Sequence, residues 1–466
     1  MGKFKFPSAY TVLMAIIVFV AALTYIVPAG QYDRVANEAL GRDVPVAGTY
    51  HAVEANTQGF IDVIMAPIAG FYDPVSYEAG AIDVALFVLV IGGFLGVVTK
   101  TGAIDAGIAQ VTKALKGRET WMIPILMALF AAGGTSYGMA EETLPFYMLL
   151  IPVVIAAGFD AVTGVSIVML GAGIGVLGST VNPFATVIAS DAAGIPFTDG
   201  MNLRLAILGL GFAITCGYVM RYAKKVRQNP ELSLVADQKK SNEEFFLKNS
   251  AEVIEFTGSR KLILTLFAVT FGIMIWGVSA GGWWMAEMSA LFLVSSIVIG
   301  LVGRLSEEEL TGTFVDGARD LLGVAFVVAI ARGIVVVMNA GNITDTILFW
   351  CENAVTGLNE FVFINVMYFI QLVLSFFIPS TSGLAVLSMP IMAPLADFAN
   401  VSRELVVTAF QSASGIINLL TPTSAVVMGG IAIGRISYAK WLKFCLPLVG
   451  ILTVFIMVML SVATIF

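Results

Sequence analysis

Residues 131–145 read AAGGTSYGMAEETLP and carry the densest chemistry in the chain. Two glycines, then Thr135, Ser136, Tyr137, Gly138 and the adjacent carboxylates Glu141 and Glu142, sit between the apolar runs WMIPILMALF and FYMLLIPVVIAAG. A second polar cluster, Ser380, Thr381, Ser382 and Gly383, interrupts the apolar stretch from Phe361 in the same manner. Thr135 and Ser136, and again Ser380 to Ser382, suit a helix N-terminus, where N–H groups and hydroxyls hold an anionic group such as a carboxylate. Glu141 and Glu142 would take a cation, because burying an ionised carboxylate without a partner is costly. Each cluster is followed by a proline-bearing break, STVNPFATV from Ser179 and NLLTPTSAV from Asn418. Broken membrane helices expose carbonyls that coordinate Na+. Gly178, Ser179, Thr180 and Ser414 are the candidates for that ion, and Asn182, Asn418, Thr421 and Thr423 add side-chain oxygens and amides.

Such groups need elements that hold them, and the composition says where those elements lie. Of 466 residues, 58% are hydrophobic and 12% charged, with a mean hydropathy of +0.92. Soluble domains carry about twice that charged fraction, and several runs reach the roughly 20 apolar residues that cross a bilayer. The chain reads as an all-α polytopic membrane protein. The run Ala9–Val27 is too long for a signal-peptide core and is expected to be a retained span. Cys216, Cys351 and Cys445 have no CxxC spacing and read as core residues, while His51 is the only histidine. A net charge of −7 argues against a nucleic-acid partner.

Further spans are expected at Asp83–Thr99, Asn202–Met220, Leu262–Ala280, Met288–Val302, Leu321–Ala340 and Leu442–Phe466, with interrupted helices at 161–193 and 402–434. That makes about nine full spans. Ile104–Leu115 and Ile343–Val355 look amphipathic and suit the membrane interface. Lys and Arg favour the cytoplasmic side. The 221–261 linker, rich in Lys and Arg with Lys248 among them, is therefore placed inside, together with Lys3, Lys5, Lys100, Lys113, Lys116 and Arg118. The acid-rich 29–80 loop, including Glu38, and the 341–360 segment fall outside. This puts the N-terminus in the cytoplasm and the C-terminus outside. Segment 121–158 must then enter and leave on one side, as a re-entrant hairpin, and 361–400 forms its counterpart. Asp160, Asp191, Asp397, Arg403 and Glu404 flank span ends and are expected to be solvated, and Arg204 is a lone charge at an external end.

The two halves repeat each other weakly but in order. GAID at Gly102 meets GNIT at Gly341, Gly138 meets Gly383, Pro145 meets Pro390 and Pro183 meets Pro422. Residues 1–220 form the first repeat and 281–466 the second, inverted one, with 262–280 as a connecting helix. Inverted repeats with broken helices mark secondary transporters, and irregular backbone at membrane depth must line a protein-enclosed cavity. Small residues such as those in GAGIGVLGS also serve close helix packing; packing does not explain why small polar residues followed by proline recur at matched positions. Arg332 lies inside a span opposite Gly93 of the other repeat, and reads either as a structural partner of Glu141 or Glu142 or as functional.

The stretch KFPSAYTVLMAIIVFVAALTYIVPAGQYD, from Lys5 to Asp33, closely resembles the start of YfcC-like proteins. These are members of the ion transporter superfamily placed with the C4-dicarboxylate anaerobic carriers. The hairpins and interrupted helices extend the resemblance over nearly the whole chain. It implies a homodimer in a bacterial cytoplasmic (inner) membrane, with scaffold and transport domains and an elevator-type movement. Dicarboxylate members carry a Ser-Asn-Thr motif at each hairpin tip. Here Thr135-Ser136-Tyr137 and Ser380-Thr381-Ser382 contain no Asn. Because two glutamates would repel a dianion, the expected solute is a basic amino acid (arginine, lysine or ornithine), moved by antiport or ion-coupled uptake, with a Na+- or H+-coupled C4-dicarboxylate carrier as the alternative. No cofactor is expected beyond a coupling ion, Na+ or H+. A channel would need a continuous polar pore, a primary pump the absent GxxxxGK[ST] loop, and an intramembrane protease a Ser-His pair or GxGD, so the chain is not expected to be an enzyme.

Overall fold

The computed structural model describes residues 9–37, 42–104, 106–107, 110, 118–136, 138–247, 256–281, 283 and 285–465. Tyr137, Lys3, Lys5, Glu38, Lys113, Lys116, Lys248 and most of the amphipathic segment after Ile104 lie outside the described residues. In lipid the backbone must satisfy its own polar groups, and the apolar runs accordingly form helices. The first half has α1 (Ala9–Leu23), α2 (Phe60–Phe71), α3 (Ile82–Lys100), α4 (Met122–Ser136), α5 (Leu144–Ala156), α6 (Ala161–Leu177), α7 (Ile188–Ala193) and α8 (Met201–Gln228). After α9 (Lys239–Phe246) and α10 (Gly258–Ala280) come α11 (Met285–Val302), α12 (Glu307–Asp320), α13 (Leu322–Ala340) and α14 (Thr344–Val355). The chain ends with α15 (Glu360–Phe377), α16 (Thr381–Phe398), α17 (Arg403–Ile417), α18 (Ala425–Ile433) and α19 (Tyr438–Ala463). Between α1 and α2 run four short strands, β1 (Gly30–Gln31), β2 (Arg34–Asn37), β3 (Arg42–Pro45) and β4 (His51–Ala52), paired antiparallel as β1–β4 and β2–β3.

By length and composition, six helices among the described residues can cross a membrane, or seven if the pair bent by 46° at Asp320 is one span. The runs expected to be interrupted are interrupted: α6 and α17 stop at Gly178 and Asn418, before the prolines, and among the described residues α1 covers 15 residues. Helix α8 continues for 28 residues, past Arg221, to Gln228, with Asn229 as its C-cap before Pro230.

Packing sorts the helices into two groups. In one, α3 lies against α11, α12 and α13, α2 and α1 lie against α13, and α10 lies on α11. In the other, α4 and α5 pack on α6, α15 and α16 pack on α17, and α6 meets α17 directly, with α8 and α19 alongside. Few contacts join the groups: α3 with α5, α13 with α18, and α14 and β3 with α16.

Asp160 and Arg403, expected in solvent at span ends, and Arg204, the lone charge at an external end, have protein partners instead. Asp160 is buried and caps α6, accepting from Thr163 N (2.9 Å) and Thr163 Oγ1 (2.7 Å), and also from the hydroxyls of Tyr222 (2.7 Å) and Ser233 (2.6 Å). Arg204 is 0% exposed and donates to the Phe197 carbonyl. Arg403 forms a fork on Asp397 (3.0 and 2.5 Å) and reaches the Ala193 carbonyl at 2.8 Å. Each end is tucked against a loop whose free polar groups require a partner once water is excluded.

Candidate functional site

The first tip differs in polarity from the sequence expectation. Thr135 and Ser136 occupy the last turn of α4, a C-terminus: Ser136 Oγ bonds back to Ala132 O at 2.6 Å, the helix ends at Ser136, and Gly138 follows with φ at +80°. The following helical turn starts at Glu141. Matching the repeats fixes spacing but not which arm the hydroxyls belong to. At the second tip the expectation holds: Ser380 is the N-cap of α16, its Oγ accepting from Gly383 N at 3.3 Å. One tip therefore ends a helix and carries two carboxylates, while the other begins one.

Both tips dock on the breaks. Thr135 Oγ1 bonds Gly178 O (3.2 Å) and Thr180 Oγ1 (3.0 Å), and it accepts from Thr180 N (3.0 Å). Asn182 Nδ2 donates to Gly134 O at 3.0 Å, while its Oδ1 accepts from Phe184 N (2.8 Å) and Ala185 N (3.1 Å). In the second half Thr381 Oγ1 lies 3.0 Å from Ser414 Oγ, and Asn418 Nδ2 donates to Pro379 O at 3.4 Å. Thr423 Oγ1 donates to Phe376 O at 2.7 Å, with Thr421 Oγ1 2.8 Å from it. In both halves a side chain beside the break proline thus ties down a carbonyl of the facing arm.

A cavity of about 970 Å³ opens between the two helix groups. Of the predicted residues, Gly138, Glu141, Glu142 and Asn182 line it from the first half, and Ser380 to Gly383, Asn418 and Thr423 from the second. Thr135, Ser136 and Thr421 are not in its wall, and neither are Gly178, Ser179, Thr180 and Ser414. Those four candidate ion ligands are split between two places and already bonded: Gly178 and Thr180 to Thr135, Ser414 to Thr381, and Ser179 to Thr186 (2.6 Å) and Gln411 (3.0 Å). The amide oxygen of Asn418 is buried without a hydrogen-bond partner.

The two glutamates differ. Glu142 is buried and turns back to accept from Ala140 N at 2.9 Å, while Glu141 is half-buried at the cavity wall. Sequence reasoning missed Asp83 and the ion pair of Arg34 with Asp345 (3.0 Å), both of which line the same cavity. It also missed Gln411 of α17, which accepts from Thr186 Oγ1 and donates to the Ser179 carbonyl, tying that helix to both sides of the first break. A polar residue in the middle of the apolar run from Leu405 was the available signal for Gln411. None marked Asp345, whose partner lies 311 positions away.

A helical membrane protein with breaks and interruptions gathered around one polar cavity is a membrane transporter. The family described as C4-dicarboxylate anaerobic carrier matches residues 6–465, and the chain belongs to it. It is 36% identical over 491 residues to an uncharacterized protein of Haemophilus influenzae, covering 96% of this chain and 95% of that one. It is 31% identical over 483 residues to the Escherichia coli protein named "Putative basic amino acid antiporter YfcC", covering 97% and 94%. Among solved structures it is similar to the Alcanivorax borkumensis YdaH transporter (13% identity, TM-score 0.40, 98% of each chain). The Neisseria gonorrhoeae protein MtrF, described as one of a class of antimetabolite efflux pumps, is another (13%, TM-score 0.43, 98% and 95%).

Proposed function

We propose that this protein is a secondary transporter of a basic amino acid. The observation that carries this reading is the charge of the cavity wall. Among the described residues Asp43, Asp83, Glu141, Glu142 and Asp345 face it, against Arg34 and Arg332. Five carboxylates against two guanidiniums leave a surplus of three negative charges with every group ionised. Such a wall repels a dianion and attracts a cation. The two tips divide the work. The N-terminus of α16, with Ser380, Thr381 and Ser382, offers N–H groups and hydroxyls to the solute carboxylate, and Glu141 at the other tip takes the side-chain cation. The name of the Escherichia coli relative agrees with this solute class.

The remaining parts of the reading follow from the helix groups. Each pair α4–α5 and α15–α16 is a re-entrant hairpin, the group built around α6 and α17 is the moving transport domain, and the group around α3 and α13 is the scaffold of a homodimer. The thin contact between the groups is what sliding requires. Na+ or H+ is the coupling ion if uptake rather than antiport operates. The test is ligand stabilisation of the purified protein, which grows with ligand concentration relative to Kd. Arginine, lysine or ornithine is expected to raise Tm and succinate to leave it unchanged. A rise with succinate alone replaces this reading with a dicarboxylate carrier. Arginine-driven counterflow in proteoliposomes then separates a carrier from a channel.

A further inference from the structure

Two guanidiniums of the described residues line the cavity, and one of them is in an ion pair. Arg34 bonds Asp345, whereas Arg332 makes no ion pair within 4.0 Å among the described residues and is exposed to the cavity. Arg332 lies midway along the apolar helix α13. A charge at that depth is costly unless it faces water or an opposite charge. Its direction is fixed by packing. Arg332, Val335, Val336 and Asn339 share the helix face that lines the cavity, at spacings of three, four and seven. The flank beside that face is pressed on α2 through glycines: a Cβ at Gly70 would stand 2.0 Å from Ala329 O, and one at Gly333 would stand 2.6 Å from Ala66 O. At that separation α13 cannot roll to hide the guanidinium.

We propose that Arg332 is a specificity-determining residue that clamps the carboxylate of the transported solute from α13, a helix that belongs to neither tip. A planar guanidinium matches a carboxylate with two parallel N–H donations, which an ammonium cannot reproduce. The clamp rests on the solute reading given above and adds a charged partner to the carboxylate site that the N-terminus of α16 provides. The acid-rich wall selects the cation of the solute, and Arg332 makes the carboxylate obligatory, so that a plain polyamine is refused.

The test compares arginine with agmatine, which keeps the guanidinium but has no carboxylate. Binding of both is titrated on the full chain in detergent, for the wild type, Arg332→Gln and Arg332→Lys, with Tm as the check on folding. The wild type is expected to prefer arginine. Arg332→Gln should weaken arginine by about ten- to a hundredfold, the effect of losing a charge-assisted pair, and leave agmatine unchanged. Arg332→Lys should recover only part of the loss. Equal weakening of both ligands, or of neither, overturns the clamp. If the wild type ignores both and binds succinate, the solute reading fails separately; loss of succinate affinity in Arg332→Gln then sustains the clamp, and unchanged affinity overturns it.

Discussion

Asn182 holds Gly134: its amide nitrogen donates to the Gly134 carbonyl at 3.0 Å, and its amide oxygen takes the N–H groups of Phe184 and Ala185. One side chain therefore finishes a helix end in one arm and restarts the chain after the break in another. Removing it takes the amide partner from a buried carbonyl and from two N–H groups. Each such group costs about 1–3 kcal/mol. Asn182→Ala is expected to lower Tm by several degrees and transport by more than tenfold, while Asn182→Asp, which keeps the acceptor but loses the donor, falls between. Thermal unfolding and proteoliposome uptake measure the two effects. An alanine variant with wild-type uptake would show that the tip moves independently of the break.

The glutamates are expected to separate in function. Glu142 already serves Ala140 N, so Glu142→Gln keeps an acceptor there and should retain the arginine-dependent rise in Tm, with a baseline about 1–2 kcal/mol less stable, the difference between a charged and a neutral hydrogen bond. Glu141 stands at the cavity wall with its carboxylate available to the solute, and Glu141→Gln should abolish the rise. The thermal-shift series with arginine decides this. The reverse order would move the cation site to Glu142.

How much of this was legible beforehand depended on the distance over which a residue acts. The breaks at Pro183 and Pro422 were visible because proline, small residues and amides stop a helix locally. Asn182 was visible for the same reason. The polarity of the first tip was not, since it depends on Ser136 bonding back to Ala132 and on a left-handed Gly138, and repeat spacing is blind to both. Arg332 could be placed at mid-span by hydropathy, but its facing is set by Gly70 and Gly333, which lie in segments far apart in sequence. The expected pairing of Arg332 with Glu141 or Glu142 does not form among the described residues. The same limit hid Gln411, whose bonds to Thr186 and Ser179 span more than half of one repeat pair.

At the second tip the cap itself can be separated from the solute contact. Ser380 Oγ accepts from Gly383 N, so Ser380→Ala removes an N-cap that contributes about 1 kcal/mol. Ser380→Asp keeps the cap but adds a negative charge where the carboxylate is expected. Both should lose solute affinity, but only the alanine variant should lose Tm. If the aspartate variant binds arginine as well as the wild type does, the carboxylate does not sit at this helix end.

The last prediction concerns Asp160, at the far end of α6 from the break. Its carboxylate takes four hydrogen bonds, two inside α6 and one each from Tyr222 on α8 and Ser233 in the linker. Tyr222 Oη in turn accepts from Leu234 N at 3.1 Å, so the start of the linker is clamped to the helix that carries the first break. A salt bridge from Lys440 of α19 to Asp237 (2.5 Å) and Arg435, in the turn before α19, stacked on Phe245 hold the rest of it. Those outer contacts are exposed and contribute little, which leaves Asp160 as the main tie. Asp160→Ala should therefore expose the linker to protease at residues after Gln228 at least tenfold faster. Asp160→Asn, which can still accept from one hydroxyl and from Thr163 N, should be cut at an intermediate rate. Lys440→Ala should change the rate little. Limited proteolysis followed by mass analysis reads all three, and equal cutting in the alanine variant and the wild type would mean that the linker is held by its apolar contacts instead.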